Sequence, residues 1–208
     1  MESNTNANGR GFRQETTAAS ICWACYLLAK DQGLQTKFRE EIQQASLDTS
    51  TDLGATLEQL PYLNGIIQET LRLYPAVPMT MRQCFQDSQV GSYFIPQGTI
   101  LVISMWLINR SRDIWGEDAE VCRPERWVNM DGKPNQTGGT KSNYNFLTFL
   151  HGPRSCIGAG FSKAEIRCVL AALVSSLSWT LVKDEEWIPT GTLTARPDTA
   201  VRLRFKAL

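Results

Sequence analysis

The sequence lacks a net charge, a long apolar run and a high cysteine content, and each absence excludes a class of protein. Its 21 basic residues balance its 21 acidic ones, so it has no electrostatic footprint for nucleic acid. The longest apolar run, residues 21–29, is far shorter than the roughly 20 residues that cross a bilayer, so we expect no membrane anchor. Six cysteines in 208 residues are well below the roughly 8–10% of disulfide-stapled secreted domains. We therefore expect a folded protein in a reducing compartment, with no nucleic-acid partner.

The start of the chain, residues 1–12, is polar and contains Arg10 as its one basic residue. A secretory signal needs an apolar core and a transit peptide needs several basic residues, so neither is expected and the protein should stay on the cytoplasmic side. Few apolar side chains are available there to drive folding. The sequence predicts a disordered or atypical tail over residues 1–12 and a folded domain over residues 13–208.

Apolar periodicity predicts a mainly α fold with small β-sheets, of the α+β class. Helices are expected over residues 13–30 (ended by Gly33), 34–45 and 61–73, and after Gly158. Strands are expected at residues 93–95 and 99–103, joined as one hairpin, and at 179–182, 193–195 and 201–205. Residues 131–145 form a Gly/Asn/Thr-rich stretch, and an irregular stretch of that length indicates either a functional loop, with a site nearby, or a disordered insert.

The segment FLHGPRSCIG, residues 149–158, brings one cysteine to the start of the last predicted helix. The positive end of the helix dipole and the neighbouring Arg154 both favour Cys156 as a thiolate, which is a metal ligand. Gly152 and Gly158 allow the backbone to approach a flat, bulky group. Arg154 can pair with a carboxylate on that group. The segment thus suits a large, planar, anionic ligand.

This segment resembles the haem-ligand signature of the cytochrome P-450 superfamily, Phe-x-x-Gly-x-Arg-x-Cys-x-Gly. Its fixed positions are matched by Phe149, Gly152, Arg154, Cys156 and Gly158. The resemblance implies a haem cofactor whose iron takes Cys156 as its axial thiolate ligand. It also implies that the other four residues form the cofactor-binding loop.

Two further motifs resemble the same family in the expected order. Glu69-Thr70-Leu71-Arg72 places a carboxylate and a guanidinium on one helical face, where they can pair. Pro124-Glu125-Arg126-Trp127 resembles the later motif whose arginine joins that pair. The resemblance implies a structural triad of Glu69, Arg72 and Arg126, a buried network that fixes geometry and takes no part in the reaction.

The resemblance also implies roles for residues on either side of the haem. Arg82 corresponds to an arginine that reaches a haem propionate. Glu15 and Thr16 resemble the acid and alcohol that supply protons to bound oxygen on the distal face. Phe12 and Arg13 stand where the family has small residues before that acid.

The resemblance implies a haem-thiolate monooxygenase that oxidises a small apolar molecule with O₂ and with electrons from a flavoprotein reductase. The motifs are most similar to fungal members, many of which act in secondary metabolism, and the family suggests association with the endoplasmic reticulum. Only the C-terminal, haem-proximal part of the family fold is matched, over residues 15–208, so the fold is expected to be incomplete.

Two alternatives to an active enzyme stay open from the sequence. One is an N-terminally truncated, inactive remnant that binds haem weakly or not at all. The other is a zinc or protein-interaction module, based on Cys22-x-x-Cys25, which has the spacing of half a zinc site. Because that pair lies in an apolar helix, core packing is the simpler interpretation.

Overall fold

The computed structural model describes residues 5–45, 47, 52–183, 189–190, 194–197 and 201–208, with side chains from Glu15 onward. The α-helices are α1 (Thr5–Lys30), α2 (Gln32–Gln44), α3 (Leu53–Gln59), α4 (Pro61–Leu73), α5 (Met105–Ile108), α6 (Arg112–Trp115) and α7 (Ala159–Ser176). The strands are β1 (Met79–Gln83), β2 (Ser88–Val90), β3 (Tyr93–Ile95), β4 (Ile100–Ser104), β5 (Leu177–Leu181) and β6 (Leu203–Ala207). Short 3₁₀ turns cover Pro124–Trp127, Asn143–Asn145 and Gly152–Arg154.

Local sequence signals explain where the central helices begin. Helix α4 begins with Pro61, a residue that suits a first helical turn because it has no N–H to leave unpaired, and its bounds match the predicted 61–73. Helix α2 begins at Gln32 because the Asp31 carboxylate accepts hydrogen bonds from the backbone N–H groups of Gly33 (2.8 Å) and Leu34 (3.1 Å). Gly33 therefore lies in the first turn of α2 and does not end α1.

Helix α1 is longer than the sequence indicates. Its backbone is helical from Thr5, whereas order is expected only from Arg13. The extension contains no proline, so a helix nucleated by the buried part of α1 meets no break as it continues toward the N-terminus. Residues 1–4 of the predicted tail lie outside the described residues.

The predicted hairpin of residues 93–95 and 99–103 is wrong, because its two strands belong to different sheets. Strand β3 pairs antiparallel with β2, and β4 pairs antiparallel with β1. Gly91, at φ +59°, lies in a two-residue turn that closes β2 on β3 locally, and such a turn suits the twist of paired strands.

The C-terminal strands β5 and β6 form a third antiparallel pair, with Leu177 opposite Ala207. This agrees with the strands predicted at 179–182 and 201–205, apart from small shifts at their ends. The strand predicted at 193–195 begins at a residue outside the described part of the chain.

The main core lies between α1, α2, α4 and α7, with Trp179 of β5 at its edge. Helix α7 contributes its apolar side, and its buried members are Ile166, Leu170, Ala171 and Val174. Helix α7 packs against α1 and α4, and the loop that precedes it lies beside the middle of α1 and the end of α4. The mainly α fold with small antiparallel sheets is thus confirmed. In the described part of the chain, no helix has the length and hydropathy needed to span a bilayer.

Candidate functional site

A cavity of about 200 Å³ lies where α1, the end of α4, β1 and the loop before α7 meet. It brings together four residues singled out from the sequence, Thr16, Phe149, Arg154 and Cys156. Apolar side chains of Leu71, Ala76, Val77, Met105 and Leu150 form much of its remaining wall. The fold therefore joins residues from both ends of the chain around one mainly apolar space.

The loop of residues 149–158 presents Cys156 to this cavity. The backbone N–H of Cys156 donates to the carbonyl of Phe149 (2.8 Å), which closes the loop on itself. Gly152 has φ +72°, in the left-handed region that favours glycine, and a Cβ there would meet no atom within 4 Å. A Cβ at Gly158 would lie 3.9 Å from Cys156 Sγ. Helix α7 starts only at Ala159, so Cys156 lies just before the helix and its exposed thiol is accessible.

The two arginines assigned to the cofactor differ in their contacts. Arg154 lines the cavity, and its guanidinium forms no ion pair or hydrogen bond with the described residues, so it can bind an added carboxylate. Arg82 is exposed on β1, where it donates to Thr80 Oγ1 (3.0 Å) and to the carbonyl of Met81 (2.8 Å). Thr80 is part of the cavity wall, so Arg82 lies next to the cavity without forming its wall.

The structure separates Glu15 from Thr16. Thr16 lines the cavity, whereas the exposed Glu15 carboxylate lies 3.4 Å from Nη1 of Arg196. Thr17 and Ser20 also line the cavity, although the sequence motifs assign no role to either residue. Helical periodicity carries the signal for Ser20, because residues four apart lie on the same helix face. This end of the cavity therefore has three hydroxyl groups.

Glu69 and Arg72 form a buried, bidentate ion pair. Arg72 Nε lies 2.8 Å from Glu69 Oε1, Arg72 Nη2 lies 2.8 Å from Oε2, and both side chains are fully buried. Glu69 also accepts from Trp127 Nε1 (2.8 Å) and from the backbone N–H of Arg123 (2.8 Å). The sequence motifs do not indicate that Trp127 and Arg123 donate to Glu69. The carboxylate is thus well compensated, as a buried charge must be.

Arg126 lies near the Glu69–Arg72 pair, but its hydrogen bonds are to other residues. Its Nε lies 3.7 Å from Glu69 Oε1 and has no hydrogen-bond partner among the described residues. Its Nη1 donates to the carbonyl of Trp115 (3.0 Å), and its Nη2 lies 3.1 Å from Asp118 Oδ1. Although desolvation opposes it, the hydrogen bond and charge of Arg126 lower the pKa of Asp118. Arg126 therefore lies beside the Glu69–Arg72 pair without a hydrogen bond from its Nε to Glu69, whereas Trp127 donates directly to that carboxylate, and the triad stays a prediction.

Arg72 also connects α4 to the segments that follow α5. Its Nη1 donates to the carbonyls of Asn109 (2.8 Å) and Ala119, and its Nη2 donates to the carbonyl of Val121 (3.1 Å). The Trp115 ring lies 4.9 Å from the guanidinium carbon. All five N–H groups of this buried guanidinium have an acceptor, so the network fixes the relative positions of helix and loops.

The Cys22 and Cys25 pair does not form a metal site with other described residues. Cys22 is exposed, Cys25 is buried, and burial raises the pKa of Cys25 to about 12. Among the described residues no three His, Cys, Asp or Glu side chains are grouped so as to hold a metal ion. Core packing explains Cys25.

The residues around the cavity fit a haem. Cys156 provides an accessible thiol, and Arg154 provides a guanidinium with no ion pair or hydrogen bond to the described residues. The apolar wall provides a surface for a flat macrocycle. A porphyrin supplies four nitrogen ligands of its own, so one protein thiolate is enough to attach the iron.

Comparison with known proteins indicates the family of this chain. The sequence model of the cytochrome P-450 family matches residues 14–202. Cytochrome P-450 monooxygenase ptmK of Penicillium ochrochloron is 40% identical over 93% of this chain and 39% of its own length. Cytochrome P-450 monooxygenase sphH of Aspergillus fumigatus is 45% identical over 82% of this chain and 32% of its own length. A cytokinin hydroxylase of Arabidopsis thaliana is 34% identical over 93% of this chain and 36% of its own length.

The chain therefore spans less than two fifths of the length of these relatives. The family model matches from within α1 through the cysteine loop, α7 and β5, and ends just before β6. A family match over nearly the whole chain, together with a cysteine loop that faces an apolar cavity, shows that this chain belongs to the cytochrome P-450 family.

Proposed function

We propose that this chain forms the haem-thiolate site of a monooxygenase, with Cys156 as the axial ligand of the iron. The exposed Cys156 thiol on the wall of the apolar cavity is the observation that carries the proposal. Arg154 would bind a haem carboxylate, and Arg82 would bind another after releasing Thr80. Phe149 and Gly152 would shape the loop beneath the macrocycle, together with the other loop glycine.

When bound, a haem with a thiolate ligand supplies O₂ chemistry, because the thiolate donates electron density that favours O–O cleavage. The protein's part is to hold and shield that group. Leu71, Val77 and Met105 form part of an apolar wall that a substrate would contact. Thr16 provides a hydroxyl that can hold a proton within the cavity. Glu15, which is paired with Arg196 outside it, would be the acidic neighbour of that hydroxyl.

The substrate and partner assignments rest on the family and on the apolar cavity wall. A small apolar organic molecule suits a wall with few charged side chains. A flavoprotein reductase would supply the electrons. The motif resemblance to fungal members suggests a role in secondary metabolism, and two of the relatives are fungal monooxygenases. We also propose, from family membership, a position on the cytoplasmic side of the endoplasmic reticulum.

Carbon monoxide binding tests the proposal. The chain is expressed with haem supply and reduced, and CO is added while the Soret band is recorded. We expect the strongly red-shifted band of thiolate-ligated haem, lost in Cys156→Ala and retained in the control Cys168→Ala, which alters another exposed cysteine. A red-shifted band that survives Cys156→Ala would contradict the assignment. A chain that takes up no haem would instead support the inactive-remnant alternative.

A further inference from the structure

We propose that Asn109 is a positioning residue that ties the cysteine loop to the buried Glu69–Arg72 pair through Thr148. The inference rests on the proposed function, because its consequence is a fixed position for the haem ligand. It concerns two residues that lie outside the motifs found in the sequence. The inference rests on a chain of hydrogen bonds that starts at Arg72 and ends at Thr148, the residue before Phe149.

Asn109 is fully buried and is held at both its main chain and its side chain. Arg72 Nη1 donates to the carbonyl oxygen of Asn109 (2.8 Å). In return, Asn109 Nδ2 donates to the carbonyl oxygen of Arg72 (3.1 Å) and to Thr148 Oγ1 (3.0 Å). The side-chain amide thus uses its donor nitrogen to connect two segments 39 positions apart.

Thr148 completes the connection by donating its own hydroxyl hydrogen to the carbonyl of Leu71 (2.8 Å). The carbonyls of Leu71 and Arg72 belong to the last turn of α4, where no intrahelical N–H is available to them. Asn109 and Thr148 satisfy these two acceptors. The end of α4 is therefore a docking point for the chain that leads into the cysteine loop.

The connection continues into the loop through a single peptide bond. Thr148 precedes Phe149, whose carbonyl accepts the hydrogen bond from the Cys156 backbone N–H (2.8 Å). Thr148, Phe149 and Cys156 also line the same cavity. A displacement of Thr148 would therefore move the acceptor that holds Cys156 in place.

The donor half of the Asn109 amide carries this role. Asn109 Oδ1 has no hydrogen-bond partner among the described residues, whereas Nδ2 serves two acceptors. Leucine has a similar shape and no donor, so Asn109→Leu removes both bonds while filling the space. Thr148→Val likewise keeps the shape of the side chain and removes the hydroxyl.

Asn64 and Thr70 provide matched controls on α4. Asn64 Nδ2 donates to carbonyls at the end of α3 and the start of α4, among them that of Leu57 (3.0 Å), and does not reach the cysteine loop. The Thr70 hydroxyl donates to Ile66 of its own helix (2.8 Å). Thr70→Val therefore removes one comparable buried hydrogen bond, and Asn64→Leu is the stricter control, because it also removes the bond that Asn64 Oδ1 accepts from Arg167 Nε of α7 (2.8 Å).

Amide hydrogen exchange of the haem-free chain tests the link directly. We expect Asn109→Leu and Thr148→Val each to speed exchange of the Cys156 amide at least about fivefold, because one hydrogen bond contributes about 1 kcal/mol and 1.4 kcal/mol corresponds to tenfold. The double variant should exchange no faster than Thr148→Val, since Thr148→Val already removes the bond from Asn109 together with the bond to Leu71. The two control variants should leave this amide unchanged. Unchanged exchange in Thr148→Val, or additive effects in the double variant, would overturn the inference.

Haem binding separates this inference from the proposed function. If the wild-type chain takes up no haem, the proposed function fails while the exchange experiment still decides the role of Asn109. If haem binds, Asn109→Leu should shift part of the CO complex from the thiolate-type Soret band to the band of haem without thiolate. If Asn109→Leu does not fold, Thr148→Val carries the test, because Thr148 is only partly buried.

Discussion

Replacing Glu69 by glutamine is the most informative perturbation of the buried network. Glutamine keeps the size of the side chain but replaces one carboxylate oxygen with an N–H₂ group that faces existing donors. Four donor atoms lie 2.8 Å from the Glu69 oxygens, two of them on Arg72. The variant leaves the fully buried Arg72 guanidinium without its counter-charge, and the protein must bury an uncompensated cation.

The cost of Glu69→Gln follows from this geometry. Removing one partner of a buried ion pair destabilises a protein by about 3–5 kcal/mol. That is a large part of the roughly 5–15 kcal/mol that holds a domain folded. With a urea dependence of about 2 kcal/mol per molar, the unfolding midpoint should fall by about 2 M. Urea titration followed by tryptophan fluorescence measures this change, since Trp127 contacts Glu69 directly.

Glu125→Gln is the matched control for this experiment. Glu125 pairs with Lys37 at 3.1 Å on the surface, where both side chains are about half exposed or more, so its loss should cost less than about 1 kcal/mol. Equal midpoints for Glu69→Gln and Glu125→Gln would refute the reasoning.

Two further perturbations test the packing and the charges around this network. A Cβ at Gly65 would lie 2.5 Å from the carbonyl oxygen of Pro124, so Gly65→Ala should destabilise the chain by about 1–3 kcal/mol in thermal unfolding. Gly54→Ala, on an exposed helix, should be neutral or stabilising by up to about 1 kcal/mol, and equal effects would contradict the close approach. The pKa of Asp118 is lowered because the hydrogen bond and the charge of Arg126 outweigh desolvation. The ionised carboxylate therefore stabilises the folded protein above the pKa of about 4 that Asp118 has in the unfolded chain. This stabilisation is lost as the pH falls through the lower pKa of Asp118 in the folded protein. Asp118→Asn should therefore cost up to about 1 kcal/mol at pH 7 and nothing near pH 2, and a pH-independent cost would count against the ion pair.

The helices and the cysteine loop could be predicted because their signals are local. Pro61 and the prolines after Leu73 set the bounds of α4, and the loop glycines and Cys156 lie within one ten-residue motif. The strand pairing could not be predicted in the same way. Residues 93–95 and 99–103 look like one hairpin, but the tighter turn at Gly91 takes the first of them into another sheet.

The contacts of the candidate site were only partly predictable, since they depend on distant parts of the chain. Glu69 and Arg72 lie three positions apart, so their pairing follows from helical spacing. The hydrogen bond from Trp127 to Glu69 joins residues 58 positions apart, and the one from Asn109 to Arg72 joins residues 37 positions apart. Helical or strand periodicity cannot predict contacts over such distances in sequence. Likewise, Glu15 is adjacent to Thr16 in sequence, yet it turns toward Arg196 at the other end of the chain.

X-ray absorption at the iron edge tests the central claim most directly, because it reports the atoms bound to the metal. The chain is loaded with haem, and the same measurement is made on Cys156→Ser and on the control Cys168→Ser. We predict one sulfur atom in the first shell of the iron for the wild type and the control, and none for Cys156→Ser. An iron shell of nitrogen and oxygen alone in the wild type, or a sulfur that persists in Cys156→Ser, would contradict the assignment of Cys156 as the haem ligand.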